Sequence, residues 1–470
     1  MATDAKERNL EEDIEAYLTS EVGGWLKATD KQSFSYIEDG TYQILDGHGY
    51  SDMPGHGVDI TTLVNYVQIT QPKTWKLFEG RCKTADPSKM FFKAFQDAVN
   101  ENGILHVLKH GFKHRGLKFK VVEFKPESHL NPKTQELYKK NCLRCIRQFH
   151  YSATDTRNTV DIVLDVNGIP LVALELKDQF TGQTYEDAIV QWKTDRDPHE
   201  EAFRFDSRIV AFFAVDLSEA WLATELKGLD THFIPYNQGS NGPGVDGGAG
   251  NPPNPNGYQT SYLWENVLQA DSLLDILNRY EHVEEKQESY VDANGVEQSR
   301  IVRHIIFPRY HQLDVVRMIT LDVLSKGPGH SYLVQHSAGS GKSNSIAWCA
   351  YQLSTMFDAD DKPMFDSVVI VTDRTILDRQ LQETISGLDH QKGQVTVIDD
   401  KCTSKDLRDA LNSGAKLIVS TLQKYSMIYE EVQSAGKKFC VIVDEAHSSQ
   451  TGSHAIHLKE ALADTTEALK

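Results

Sequence analysis

The chain has 470 residues, 40% of them hydrophobic, and a formal net charge of −18. That length is too great for one hydrophobic core and implies about two or three domains. The acidic balance excludes a protein that coats nucleic acid through its overall charge, yet a local basic groove stays compatible with it, because attraction to phosphate fades over about a Debye length.

In chain order, Leu10, Ile14, Tyr17 and Leu18 recur at helical spacing, which predicts an amphipathic helix over residues 9–20 with Glu11 and Glu15 on another face. The opening MATDAKERNLEEDIEAYL lacks the apolar core of a signal peptide, and no apolar run approaches the ~18 residues of a membrane span. Ser88 to Val99 reads as a second helix that buries Phe91, Phe92, Phe95 and Val99. Lys109 to Arg147 is basic, with eleven Lys or Arg against three Glu, and fits either a solvated face or a nucleic-acid footprint. Within it, Cys142 and Cys145 with His150 lack a second ligand pair at zinc spacing, so they are expected to lie on a helix face. The six cysteines form no disulfide framework, which points to a reducing compartment and a cytoplasmic protein.

Between Val160 and Lys177 two strand-like runs flank Asn167-Gly168, a hairpin signal. A helix through Tyr185 to Trp192 and a buried strand at Arg208 to Val215 follow. Residues 228–258 are dominated by Gly, Asn and Pro and read as a connector, dividing the chain into domains at 1–258 and 259–470. Beyond it a helix over Leu263 to Tyr280, a polar connector at 281–300 and a helix from Tyr310 to Leu324 are expected. Short Val- and Ile-rich runs at Ser367 to Thr372, Lys416 to Thr421 and Phe439 to Val443 alternate with helical segments, as in a parallel sheet covered on both faces.

Two stretches of the second domain carry nucleotide chemistry. Tyr332 to Ser343 reads as a buried strand, a glycine-rich loop and a helix that opens on Lys342, a ready-made phosphate cradle. Gly339, Ser340 and Gly341 would offer backbone N–H groups, Lys342 would reach the β- and γ-phosphates, and Ser343 would sit on Mg²⁺. His336 stands where the strict pattern has Gly or Ala. The run FCVIV then ends in Asp444-Glu445-Ala446-His447, which places two carboxylates at the carboxyl end of a strand. Asp444 would hold Mg²⁺ and Glu445 would orient or deprotonate the attacking water of ATP hydrolysis.

These stretches resemble motifs I and II of the superfamily 2 helicases and translocases, with VVIVTDRTILDRQL from Val368 similar to motif Ia and IVSTLQ from Ile418 to motif Ib. Arg309 to Gln312 looks like the adenine-reading segment, with Gln312 as the base contact. The resemblance implies a RecA-like lobe in which Thr372, Arg374 and Thr421 lie near DNA. It also implies that motif III and the arginine-finger motif lie beyond Lys470 in a second lobe, so that this chain binds ATP but hydrolyses it poorly.

In the first domain Asp161, Glu175 and Lys177 have D-x₁₃-E-x-K spacing and could hold Mg²⁺ and activate water for phosphodiester attack, provided one hairpin face carries all three. A two-residue turn would pair 161 with 174 and turn Glu175 away, whereas a three-residue turn, Asn167 to Ile169, pairs Asp161 with Glu175. The chemistry therefore predicts the longer turn. The bland alternative is a Glu175–Lys177 pair on a solvated strand face.

A PD-(D/E)xK nuclease, a connector and superfamily 2 motifs, in that order, resemble the restriction (R) subunit of type I restriction-modification enzymes. Asn158 to Asp161, Leu174 to Lys177, TSYLWE from Thr260 and FPRYHQ from Phe307 carry that resemblance. It implies an α/β nuclease domain followed by a RecA-like parallel-sheet ATPase lobe, with Asp161 and Glu175 as metal ligands and Lys177 beside the attacking water or scissile phosphate. Gln191 fits the family's Gln-x-x-x-Tyr motif, while Asp195 replaces its tyrosine. Glu11, rather than Glu15, is expected as the glutamate from the first helix. The resemblance further implies Mg²⁺ and ATP as cofactors, double-stranded DNA as substrate, and methyltransferase and specificity subunits as partners. The rivals are a superfamily 2 motor without nuclease activity and a type III restriction subunit, in which the nuclease is expected after the motor.

Overall fold

A computed structural model of the chain describes residues 4–372, apart from 53–54, 84, 128–129, 153, 156, 180–181, 292–295 and 338, and then 384–385, 395–398, 402–421 and 437–444. It divides into two compact units, the first built from residues 1–126 and 131–307 and the second running from Pro308 onward.

The first unit begins with helix α1 (Asp4–Leu18), strands β1 (Leu26–Ala28), β2 (Gln32–Tyr36) and β3 (Tyr42–Asp46), and helices α2 (Ile60–Thr70), α3 (Pro72–Cys82), α4 (Pro87–Asn102) and α5 (Ile104–His110). The α4 start is written in the sequence: Asp86 accepts from Ser88 N and Lys89 N, and Pro87 fills the first turn. Next come β4 (Phe112–His114), β5 (Leu117–Phe119), α6 (Pro132–Tyr138), β6 (Leu143–His150), β7 (Thr159–Val166) and β8 (Ile169–Leu176). Helix α7 (Tyr185–Thr194), strands β9 (Ala211–Val215), β10 (Ala220–Ala223) and β11 (Ile234–Pro235), helix α8 (Ala270–Arg279) and the hairpin β12 (His282–Val291) and β13 (Glu297–Ile306) complete it.

Seven strands form the central sheet in the order β1-β6-β7-β8-β9-β10-β11. The β1–β6 and β8–β9 pairs are parallel and the others antiparallel. Every residue of β8 is buried, which is why its sequence is a nearly unbroken apolar run. Ala188 and Trp192 of α7 pack with Ala173, Phe212 and Ala214 in one apolar cluster. A fully buried Arg144 bridges Asp59 at the start of α2 and Asp165 near the end of β7, at 2.8 Å from each. Arg144 thereby ties the helical layer to the hairpin turn.

Several expectations need correction. Cys142 and Cys145 are buried free thiols, and Cys145 lies on strand β6 rather than on a helix. The predicted helix over 263–280 is split into a π turn, Leu263–Val267, and α8. Within the stretch expected as a connector, His282–Val291 and the residues from Glu297 onward form the β12–β13 hairpin; charged and amide residues interrupt its apolar ones, so it lacks the regular alternation that announces a strand. The first compact unit also runs past the expected boundary at 258, to Phe307. Trp25 Nε1 donates to Leu268 O at 2.8 Å and Ala270 N to Gly23 O at 2.9 Å, tying this later segment to the amino-terminal one. The Gly-, Asn- and Pro-rich stretch belongs to this unit too. Buried Asn251 donates to Ser218 O at 2.8 Å and accepts from Gln238 N at 2.8 Å.

The second unit contains α9 (Tyr310–Lys326), α10 (Lys342–Ser354), β14 (Ser367–Thr372), β15 (Val395–Val397), α11 (Ser404–Ser413), β16 (Leu417–Thr421) and β17 (Phe439–Val443). Among the described residues its four strands are parallel, in the order β15-β16-β14-β17. Leu407, Ala410 and Leu411 of α11 pack with Val369, Val371 and Ile418. The buried strand expected before the glycine loop is not formed: Leu333 is 88% exposed and residues 331–337 have no strand pairing.

Candidate active site

The hairpin β7–β8 decides whether Asp161 and Glu175 can act together. Its turn is the short one: Asn167 (φ 55°) and Gly168 (φ 90°) connect Val166 directly to Ile169. The three-residue turn demanded by the chemistry is therefore absent. A register shift between Leu164 and Asp165 does the same work, because Asp165 faces Pro170 while Leu164 faces Val172, which leaves Leu171 as the extra residue. From there Ile162 lies opposite Leu174, and continuation of the ladder sets Asp161 opposite Glu175. Asp165 holds the bulge in place by accepting Gly168 N at 3.0 Å and Arg144 Nε at 2.9 Å.

Glu175 has no exposed surface, so the bland reading of a solvated Glu–Lys pair does not apply. Burial drives its carboxyl well above the ordinary range and the neighbouring Asp161 charge pushes the same way, while Arg196 and Lys177 pull it down. Glu175 Oε1 accepts from Arg196 Nε at 2.8 Å and Nη2 at 2.6 Å, whereas buried Oε2 has no hydrogen-bond partner among the described residues. Asp161 Oδ2 accepts from Leu176 N at 2.7 Å and Oδ1 from Gln148 Nε2 at 3.2 Å. Lys177 continues the parallel pairing, its N donating to Val215 O at 2.8 Å.

Gln148 sits at φ 50° in an irregularity of β6, between Arg147 opposite Ile162 and Phe149 opposite Val160. Its amide also donates to Glu11 Oε1 at 3.2 Å, so the α1 glutamate stands one side chain away from Asp161. Glu15 shares Arg147 with Glu11, at 3.4 and 2.9 Å, and is also held by Lys27 at 2.6 Å. Gln191 is half-buried on α7 beside Trp192, and its side-chain amide has no hydrogen-bond partner among the described residues. Asp195 caps the same helix with its side chain exposed, and its carbonyl accepts from Tyr151 OH at 3.2 Å. A tyrosine thus reaches this helix end from the segment after β6, not from position 195.

Sequence reasoning missed Gln148, Tyr151 and Arg196. Only the Asp195 departure hinted that the end of α7 is built differently. The basic run from Lys109 to Arg147 does not form one face. Arg144 is buried, Arg147 pairs with Glu11 at 2.9 Å, Lys120 with Glu123 at 2.9 Å and Lys125 with Asp271 at 2.8 Å.

The donor set suits a hard divalent cation: two carboxylates on adjacent strands, one with a buried oxygen unspent. Among the described residues no three His, Cys, Asp or Glu side chains converge to hold a metal by themselves, so water and phosphate oxygens would complete its shell.

In the second unit Gly341 is left-handed (φ 84°) and caps the start of α10, so Lys342 and Ser343 occupy its first turn, where backbone N–H groups point outward. Gln312 Nε2 donates to Gly341 O at 2.9 Å and its Oε1 accepts from Arg309 N at 2.9 Å. His311 Nε2 lies 3.0 Å from Ser340 O, and the Ser340 hydroxyl 3.2 Å from His336 Nδ1, so the unusual His336 is part of the loop's hydrogen bonding. Gly339 is left-handed as well (φ 75°). Asp444 follows β17 and its N donates to Val371 O at 2.9 Å. Thr372 and Thr421 end the paired strands β14 and β16. Glu445 and Arg374 lie outside the described residues.

Two family comparisons match the chain in succession. Residues 36–231 match the family described as type I restriction enzyme R protein N terminus, and residues 311–467 match SWI2/SNF2 ATPase. A type I restriction enzyme HindI endonuclease subunit from Haemophilus influenzae is 26% identical over 65% of this chain and 28% of its own length. A putative type I restriction enzyme MjaVIIIP endonuclease subunit from Methanocaldococcus jannaschii is 23% identical over 76% of this chain and 32% of its own. The chain thus spans about three tenths of the length of these curated relatives. The resemblance to the R subunits of type I restriction enzymes holds: one chain is similar, in succession, to an R-protein amino terminus and to a SWI2/SNF2 ATPase.

Proposed function

We propose that this chain supplies the nuclease and the first motor lobe of a type I restriction enzyme: it cuts double-stranded DNA with a divalent metal, Mg²⁺ in the cell, and draws DNA past the complex with ATP. The domains would come in the expected order, nuclease before motor. The observation that carries the nuclease reading is the buried central strand whose Glu175 has Oε2 unspent and whose Leu176 N donates to Asp161 Oδ2 at 2.7 Å. A hairpin with a purely structural role, as in a motor without nuclease activity, gives no reason to bury a carboxylate in that state.

Asp161 and Glu175 would hold the metal, which when bound polarises the phosphodiester and lowers the pKa of a water. Lys177 would neutralise charge that develops on the scissile phosphate. Gln191 would position the DNA backbone, and Glu11 would act through Gln148 on the orientation of Asp161. In the second unit Gly339 to Lys342 would cradle the phosphates of ATP, Ser343 and Asp444 would hold its Mg²⁺, Gln312 would read adenine, and Glu445 would orient water. Methyltransferase and specificity subunits would supply target recognition.

Cutting of a circular plasmid by the assembled complex tests the reading. Asp161→Ala is expected to abolish cutting while ATP binding persists. Unchanged cutting would overturn the site assignment.

A further inference from the structure

Arg196 lies two residues beyond α7 and is buried, and neither spacing nor family motif assigns it a task. Its Nε and Nη2 both go to Glu175 Oε1, at 2.8 and 2.6 Å, and Oε2 receives neither. The same protein shows how a buried arginine takes a carboxylate by both of its oxygens. Arg144 takes both oxygens of Asp165, Nε to Oδ1 at 2.9 Å and Nη2 to Oδ2 at 2.8 Å, in the two-pronged geometry natural to this pair. Arg196 departs from that fork although its partner is equally buried.

Arg196 is also fixed from its other sides. Nη2 donates to Thr159 O at 2.7 Å, Nη1 reaches Tyr151 OH at 3.5 Å, and the guanidinium lies 5.5 Å from the centre of the Tyr151 ring. Burial would lower its pKa, but the neighbouring Glu175 more than offsets that and holds it above the ordinary arginine value. A side chain anchored to β7, to the segment after β6 and to β8 is a strut, not an arm that swings out to DNA.

We propose that Arg196 is a positioning residue: it clamps Glu175 by Oε1 and so leaves Oε2 turned to the metal position shared with Asp161. The proposal rests on the nuclease reading above and adds the group that holds one ligand. Outer partners of metal ligands change affinity by about ten- to a hundred-fold. A lysine would keep the positive charge but could not place two donors on Oε1 while also reaching Thr159 O.

The test is Mn²⁺ binding to the full chain without nucleotide, followed by electron paramagnetic resonance of free and bound ion and compared with thermal melting. Wild type is expected to hold one Mn²⁺ that Asp161→Asn loses. Arg196→Lys should melt near wild type yet bind that ion about tenfold more weakly or worse. In Arg196→Ala, added guanidinium should restore part of the affinity. Arg196→Lys affinity within twofold of wild type would overturn the positioning role and leave the nuclease reading standing. A wild-type chain with no Asp161-dependent Mn²⁺ would overturn that reading, and this proposal with it.

Discussion

Replacing Arg144 with methionine should destabilise the first unit more than any single surface change. The guanidinium and both of its carboxylate partners, Asp59 and Asp165, have fully buried side chains. Breaking such a pair costs about 3–5 kcal/mol because a buried charge is left uncompensated. One substitution here strands two carboxylates, which pushes the cost up. Each keeps other donors, which pulls it down: Asp59 still accepts Ser33 Oγ at 2.8 Å and Thr62 N at 3.0 Å, and Asp165 the Tyr50 hydroxyl and Gly168 N. These opposing corrections leave an expected loss of about 4 kcal/mol, or a melting point about 10 °C lower in a unit of this size. Thermal and urea unfolding of the full chain, followed through tryptophan fluorescence, would measure it; Trp25 and Trp192 are buried reporters in this unit. Arg144→Lys should recover only part, since one ammonium cannot span both acids. A loss under about 1 kcal/mol in Arg144→Met, the size of an ordinary hydrogen bond, would refute the claim that this network holds the bulged hairpin.

Three further outcomes follow from local geometry. A Cβ at Gly168 would lie 2.3 Å from Asp59 O on a backbone with φ +90°, so Gly168→Ala should cost about 2 kcal/mol or more and weaken Asp161-dependent Mn²⁺ binding. Burial pushes Asp206 up to about 6, against the opposing pull of Leu105 N and Arg303. A carboxyl that binds its proton more tightly when folded favours the native state at low pH and loses that contribution as pH rises through the folded pKa. About 1.4 kcal/mol of stability should therefore be lost through this group between pH 5 and pH 8, and urea titrations of Asp206→Asn should lack that slope. Lys342→Ala should weaken Mg-ATP binding at least about tenfold, read with a fluorescent ATP analogue, while the Mn²⁺ site of the first unit is unaffected.

How much of this was legible depended on whether a feature is local. Asn167-Gly168 announced its turn because only a few residues accept two positive φ angles in succession. Glu175 was conspicuous as a charge inside an apolar run. The register that unites it with Asp161 was not legible, because the bulge at Leu164 and Asp165 depends on Arg144, which reaches in from another strand. Arg196 and Gln148 were hidden for the same reason: each is an isolated polar residue until the sheet and α7 bring it to a carboxylate. In the second unit the phosphate loop was read from its glycines, while the strand expected before it is exposed coil, because apolar residues such as Leu333 find no sheet edge among the described residues.

The central claim is that Asp161 and Glu175 cut DNA with a metal they share. The most direct measurement is cleavage of a circular plasmid by the assembled complex with Mg²⁺ and ATP, wild type beside Glu175→Gln, with ATP binding measured on the same samples. The account predicts that Glu175→Gln abolishes cutting and leaves ATP binding within about twofold of wild type, because the nucleotide residues belong to the other unit. Cutting at the wild-type rate by Glu175→Gln would contradict it.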